Sequence, residues 1–306
     1  MNNRILLVHI CMGPTFRNRL ISNITHNINS YLLYDNLILT DNLDQFDIFT
    51  SYPNIKIKDI NTIRKNTPWS IKLEPTPLKT NNESEYANFI LNNNFCIPSL
   101  FRFSLLEENI KDYDSIIFLN CDVICTTDQN QYNSILNFLN EYDHDFVIGN
   151  HHFSFNSLKS ELNIISKKFN FPYSNLNLNS NDGNFFMYCF KNKNKIKDFL
   201  NLYNDIVYEV LNNKNKKLYK LGKHSNWKIQ SEGIQAIIHT LLNIKVYPNN
   251  VILKKSFKIN TYPEDRFWNW PTIFKTNNIS KKYFIEENKE LLKQLYKQKN
   301  QPWLYN

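Results

Sequence analysis

The sequence has 306 residues, 42% hydrophobic and 14% aromatic, which is enough to bury one large core or two joined subdomains. The net charge of +8 favours anionic ligands such as nucleotides, but no arginine-rich arm is present, so nucleic acid is not expected as a partner. No apolar run approaches the roughly 18 residues of a membrane span, and residues 5–8 lack a signal-cleavage site, which predicts a soluble, cytoplasmic protein. Because the cytoplasm is reducing, the five cysteines are expected to be free, buried thiols.

Strands are predicted where short apolar runs meet turn residues: Arg4–Cys11, Asn36–Thr40, part of Asp47–Ile57, Ser115–Leu119, Asp145–Ile148, Phe185–Phe190 and Lys245–Tyr247. Helices are predicted between and after them: Phe16–Asn29, Tyr86–Leu91, Ser99–Asn109, Gln131–Leu139, Leu158–Phe169, Ile196–Leu211, Gly233–Leu242 and a basic tail from Lys281. This alternation predicts one α/β domain whose mainly parallel central sheet is flanked by helices. Residues 1–250 form its body, and an aromatic loop and a helix at 251–306 complete it.

Glycine-rich phosphate loops are missing from the sequence. It has five glycines, and they form neither a GxGxxG nor a Walker pattern. Rossmann dehydrogenases and P-loop NTPases are therefore disfavoured. Asparagine is used heavily throughout, so a single asparagine carries little weight.

The sharpest motif is the segment Tyr113–Val123, a buried strand followed by Asn120 and Asp122. Because these two residues lie two apart at the end of an extended strand, both side chains are expected to point the same way from its edge. Ligands of open α/β sheets bind beyond the carboxyl ends of the strands, where oxygen ligands can hold Mg²⁺ or Mn²⁺ against a diphosphate. The alternative is that Asp122 only caps the next turn.

The segment resembles the DxD region of GT-A-type glycosyltransferases, particularly family 8. Upstream, Cys96–Phe103 resembles an arginine-containing helix near the donor, and downstream Ser180–Met187 resembles a segment that contacts the donor sugar. The resemblance covers about residues 4–250. It implies a GT-A (Rossmann-like) fold, a nucleotide-sugar donor, a glycan or related acceptor, and Mn²⁺ or Mg²⁺ as cofactor. The chain departs from the motif at Asn120, which replaces the first Asp. Metal affinity should drop as a result, or the ion should arrive only with the nucleotide diphosphate.

The resemblance also implies roles for individual residues. Arg102 is either a donor-phosphate contact or half of a structural ion pair. Gly183 would let the backbone approach a sugar whose hydroxyls bond to Asp182 or Asn184, unless these three residues form a plain type I′ turn.

A second acidic segment is centred on Glu232, next to Ser231 at a predicted helix start. It resembles the late acidic segment of GT-A enzymes. Glu232 would be a general base in an inverting enzyme, or would position the sugar in a retaining one. Alternatively, it only interacts with the helix dipole. With Asp182, it is a candidate catalytic residue.

Other candidates are less specific. His9 is expected to follow the first strand, near where this fold holds a nucleobase. The third metal ligand is unassigned; the histidines considered for it are His151, His152, His224 and His239.

Near the C-terminus, Trp268 and Trp270 could form an acceptor shelf, since indoles stack on sugar rings, or they could plug the core. The basic tail Lys281–Lys299 could touch an anionic membrane weakly, or be an ordinary solvated helix face.

Together these features predict transfer of a sugar from a nucleotide diphosphate donor to a hydroxyl of a glycan or related acceptor. The alternatives are a non-catalytic nucleotide- or glycan-binding relative, suggested by Asn120, and a sugar-nucleotide pyrophosphorylase. The donor base, the sugar, the stereochemistry and the oligomeric state are not predicted.

Overall fold

A computed structural model describes residues 4–61, 103, 108–154, 159–170, 179–211, 231–247 and 251–259. The strands are β1 (Ile5–Cys11), β2 (Asp35–Thr40), β3 (Ile55–Asp59), β4 (Ser115–Leu119), β5 (Val123–Cys125), β6 (Phe146–Ser154), β7 (Asn179–Cys189), β8 (Lys245–Tyr247) and β9 (Phe257–Ile259). The α-helices are α1 (Pro14–His26), α2 (Ile28–Tyr31), α3 (Gln129–Asn140), α4 (Lys159–Lys168), α5 (Asn194–Leu211), α6 (Ser231–Leu241) and α7 (Val251–Ser256). Short 3₁₀ helices lie at Asp44–Phe49 and Glu108–Asp112.

Seven strands form the central sheet, in the order β3-β2-β1-β4-β7-β6-β8. β1 is parallel to β2 and β4, β2 to β3, and β6 to β8, whereas β7 runs antiparallel to β4 and β6. The predicted α/β fold with a mainly parallel sheet flanked by helices is therefore confirmed. A second, two-stranded sheet pairs β5 with β9, which brings residues 257–259 against the chain that leaves β4.

Local sequence explains several boundaries. Pro14 lies in the first turn of α1, where a missing N–H costs no hydrogen bond. Asp128 and Gln131 form a reciprocal capping box at the start of α3. The strand predicted within Asp47–Ile57 begins at Ile55, after the exposed Pro53, and lies at the edge of the sheet.

Strand alternation divides the core between the two faces of the sheet. Leu6, Val8 and Phe118 face the side covered by α5 and α6. Leu7 and Ile117 face the opposite side, which is covered by α1 and α3. Both faces of the central strands are buried, as expected for parallel strands between helix layers.

The cysteine prediction is confirmed for four of the five thiols: Cys11, Cys121, Cys125 and Cys189 are free and buried. Cys96, the predicted helices at Tyr86–Leu91 and from Lys281, and nearly all of Ser99–Asn109 lie outside the described residues. The division of the chain near residue 250 stays a prediction. Among the helices described, none is both long and apolar enough to cross a membrane.

His9 lies inside β1, and its side chain has no exposed surface. Its ring packs against Tyr31 at 5.7 Å between centroids, and neither ring nitrogen makes a hydrogen bond of normal geometry to a described residue. Burial lowers the pKa of the imidazole from 6.5 to about 3, and the nearby Asn36 side chain offsets this only slightly. His9 is therefore a neutral core residue at physiological pH.

Stability should consequently fall in acid. The pKa of His9 is about 3 in the folded protein and 6.5 in the unfolded chain. Between these two pH values the imidazole is protonated only in the unfolded chain, so lowering the pH favours unfolding. Between pH 7 and pH 4 this loss amounts to about 3 kcal/mol. We expect His9→Leu to remove it, measured as the difference in urea unfolding free energy at the two pH values.

The matched control is Leu7→Ala, on the same strand and facing the same side. It should lower stability at both pH values alike, since no titrating group is lost. An equal pH dependence in wild type and His9→Leu would contradict the assignment of this loss to His9.

Candidate functional site

The segments predicted to carry chemistry meet at the carboxyl edge of the sheet, where the parallel strands end. β1, β2 and β4 reach this edge at Cys11, Thr40 and Leu119. β7 runs the other way, and its residue Phe185 lies opposite Leu119. The leading residues of β7 therefore extend past the end of β4.

Asn120–Val123 is a turn, in which the Val123 amide donates to the Asn120 carbonyl at 3.0 Å. Asn120 and Asp122 are half-buried, whereas Cys121 between them is buried. The expectation that the chain stays extended here was wrong. A turn, and not strand alternation, sets the relative placement of the two candidate ligands.

Two contacts hold the turn to its neighbours. The side-chain amide of Asn23, on α1, donates to the Cys121 carbonyl at 3.0 Å and to the Val123 carbonyl at 3.2 Å. The Cys121 thiol donates to the Ile10 carbonyl at 3.4 Å. Sequence reasoning missed Asn23, although it lies three residues after Leu20 on the inward side of the predicted helix.

The thiols beside the turn are not reactive groups. The neighbouring Cys11 side chain and burial raise the pKa of Cys121 well above its ordinary range. Burial raises the pKa of Cys125 to about 11. Both therefore stay protonated at neutral pH, whereas nucleophilic attack and metal ligation need the thiolate.

The turn between β1 and α1 is tied to the end of β2. Gly13 adopts a positive φ of 81°, and its amide donates to Asp41 Oδ2 at 3.0 Å. Arg17 pairs with Asp41 Oδ1 at 2.5 Å and donates to the Gln45 side chain at 2.7 Å. These contacts fix the edge next to the Asn120–Val123 turn.

A second arginine on α1 adds positive charge near the turn. Arg19 is 7% exposed, and its guanidinium lies 5.6 Å from the Phe16 ring centroid. Its charge acts on the Cys121 thiol, which opposes the rise in the pKa of that group. Sequence reasoning assigned no role to either arginine of α1.

Asp182, Gly183 and Asn184 lie within β7, which excludes the type I′ turn considered as an alternative. Asp182 is the register partner of His151 on β6, just after an irregularity between Gly149 and His151. The backbone of this segment therefore continues past the end of β4 as extended chain.

Glu232 is the second residue of α6. β8, which follows α6, is parallel to β6, so α6 runs back from the carboxyl edge, and its start points toward that edge. The helix is fixed to β7 because the buried Tyr188 hydroxyl bonds to Gln235 at 3.0 Å and to His239 at 2.5 Å. This contact gives His239, one of the possible metal ligands, a structural role inside the core.

The structure describes only some of the remaining candidates. Arg102, Trp268, Trp270 and His224 lie outside the described residues. His9 lies in the core. Within the described ranges, no group of three or more His, Cys, Asp or Glu side chains is arranged to hold a metal ion.

No family model matches the sequence, and no curated protein matches it significantly. Similar solved structures include mouse xyloside xylosyltransferase 1 in its apo form, which is 8% identical with a TM-score of 0.43 over 81% of this chain and 85% of that one. Core-mannan synthase A from Aspergillus fumigatus, in its Mn/GDP form, is 11% identical with a TM-score of 0.46 over 82% and 75%. The mannosyltransferase Ktr4p from S. cerevisiae, in complex with GDP, is 12% identical with a TM-score of 0.46 over 86% and 77%.

Proposed function

We propose that this chain is a glycosyltransferase that moves a sugar from a nucleotide diphosphate-sugar donor to a hydroxyl of a glycan or related acceptor, assisted by a divalent cation. The observation that supports it most is the convergence of three segments at the carboxyl edge. These are the turn Asn120–Val123, the leading residues of β7, and the start of α6. Ligands of open α/β sheets bind at this edge.

The residues of the turn fit a hard cation that arrives with its nucleotide. Asn120 and Asp122 offer oxygen ligands, which Mg²⁺ and Mn²⁺ prefer over nitrogen and sulfur. A single carboxylate alone binds a divalent cation weakly, but Mg²⁺ commonly takes its other ligands from water and substrate phosphates. When bound, the cation would offset negative charge on the leaving diphosphate. Arg102 is proposed to contact the same diphosphate.

The sugar is proposed to lie against β7 and α6. Gly183 would allow the close approach of the backbone to the donor sugar, and Asp182 and Asn184 would bond to its hydroxyls. In an inverting enzyme Glu232 would take the proton of the acceptor hydroxyl as its oxygen bonds to the anomeric carbon and the bond to the diphosphate breaks. In a retaining enzyme Glu232 would position the sugar instead.

The acceptor is proposed to rest on Trp268 and Trp270, since sugar rings present apolar C–H faces to indoles. His9 is left out of the proposed donor site. Its imidazole has no exposed surface, so a ligand could reach it only if the core opened.

The first test concerns Asp122. We expect Asp122→Asn to weaken the affinity for UDP or GDP in the presence of Mn²⁺ at least about 30-fold, equivalent to about 2 kcal/mol. The physical reason is the loss of the only carboxylate on the turn. Isothermal titration calorimetry with and without Mn²⁺ measures the difference.

The control for this test is Asp47→Asn, on the exposed face of the 3₁₀ helix that follows β2. It removes the same charge from the protein without touching the turn, and binding should not change. A non-catalytic binding protein would be favoured by two results together. Nucleotide would bind tightly whether or not Mn²⁺ is present and whether or not Asp122 is replaced, and no nucleotide sugar would be turned over.

The second test concerns Glu232. We expect Glu232→Gln to lower kcat for sugar transfer about 100- to 10,000-fold, because the amide cannot accept the proton of the acceptor. Donor affinity should stay within about threefold, a change of less than 1 kcal/mol. Steady-state kinetics with a panel of nucleotide sugars, together with calorimetry, separates the two effects.

Glu141→Gln is the matched control, an exposed glutamate after α3, at the opposite edge of the sheet. Its kcat should equal that of wild type. If Glu232→Gln retains full turnover, Glu232 only interacts with the helix dipole, and the base lies elsewhere.

A further inference from the structure

Asn23 is a polar side chain in the middle of the core. It lies on α1 with no exposed surface, about a hundred positions from the turn it contacts. Its Nδ2 atom carries two N–H groups, and it donates to two carbonyls of this turn, those of Cys121 and Val123.

These two bonds provide a donor to two carbonyls of the turn. The Asn120 carbonyl already accepts from the Val123 amide within the turn. The Cys121 and Val123 carbonyls face α1, where a buried acceptor without a donor is strongly disfavoured. A single Nδ2 atom reaches both carbonyls, so it fixes the turn at two points on either side of Asp122.

The same side of the turn is held by a second, weaker contact. The Tyr31 hydroxyl lies 3.4 Å from the Val123 carbonyl and accepts from the Cys125 amide at 3.3 Å. The chain leaving β4 is therefore attached to α1 and α2 through side chains. Its placement depends on these contacts and not only on the pairing of β4.

We infer that Asn23 is a positioning residue, which holds Asn120 and Asp122 in the arrangement that binds a nucleoside diphosphate together with its cation. The inference rests on the function proposed above. Because its side chain is fully buried, Asn23 would not itself contact the ligand. It acts as the outer partners of metal ligands do, by restricting the groups that make the contact.

The chain contains a closely matched control. Asn36 is 1% exposed, and its Nδ2 atom also donates to two backbone carbonyls, those of Tyr31 at 2.8 Å and Tyr34 at 3.0 Å. It lies at the start of β2, at the edge of the sheet opposite to the turn. Asn23→Ala and Asn36→Ala thus each remove a buried side-chain amide that donates to two backbone carbonyls, at opposite edges of the sheet.

The experiment measures the affinity of both variants for UDP and GDP by calorimetry, with and without Mn²⁺. Asn23→Ala should weaken the Mn²⁺-supported affinity about 10- to 100-fold, the usual effect of losing an outer partner of a metal ligand. Its affinity without Mn²⁺ should change less. Asn36→Ala should leave both affinities within about twofold of wild type. Equal losses in the two variants, or none in Asn23→Ala, would overturn the inference.

Hydrogen exchange provides a readout that needs no ligand. In Asn23→Ala the amides of residues 121–125 should exchange faster, and in Asn36→Ala they should not. If Asn23→Ala does not fold, Asn23→Ser keeps one donor and should show the same effects at smaller size. If the wild-type protein binds neither UDP nor GDP, the proposed function is overturned. The amide exchange rates would still decide whether Asn23 holds the turn.

Discussion

The parallel pairing of β1 with β4 brings two turns of the candidate site to the same edge of the sheet. The register runs from Ile5 opposite Ser115 to His9 opposite Leu119, so β4 ends two residues before β1, at the same edge of the sheet. The turn into α1 and the Asn120–Val123 turn therefore lie side by side. α1 then returns along the sheet, close enough for Asn23 to reach the carbonyls beyond β4. Two apolar strands thus define the position of a polar site.

The strands and helices could be predicted because they have strong local patterns. Ser115–Leu119 and Lys245–Tyr247 match the observed strands residue for residue, and α5 begins two residues before its predicted start. The turn at 120–123 could not be predicted, because polar residues that alternate with apolar ones are as compatible with a strand as with a turn. Contacts from α1, distant in sequence, decide between the two. The extended course of Asp182–Asn184 likewise depends on pairing with β6.

Polar residues in the core are the other limit of sequence reasoning. His9 shares its face of β1 with Leu7 and Cys11, and both faces of a central parallel strand are buried. Its position in the strand was therefore sufficient to predict burial. Asn23 had a weaker signal, a polar residue on the inward side of a helix, in a chain where asparagine is abundant. What distinguishes it is the pair of carbonyls it satisfies, and these belong to a distant segment.

Asn120 gives the proposed site its electrostatic character. A motif with two carboxylates would attract a free cation before the nucleotide arrives, since each carboxylate contributes a full negative charge. Here the turn supplies one carboxylate, and the buried Arg19 adds positive charge nearby. The remaining negative charge would come from the phosphates themselves, which the overall charge of +8 attracts. Cation and nucleotide would then bind cooperatively. The site would depend more on the exact placement of Asp122, because no second carboxylate can compensate for its displacement.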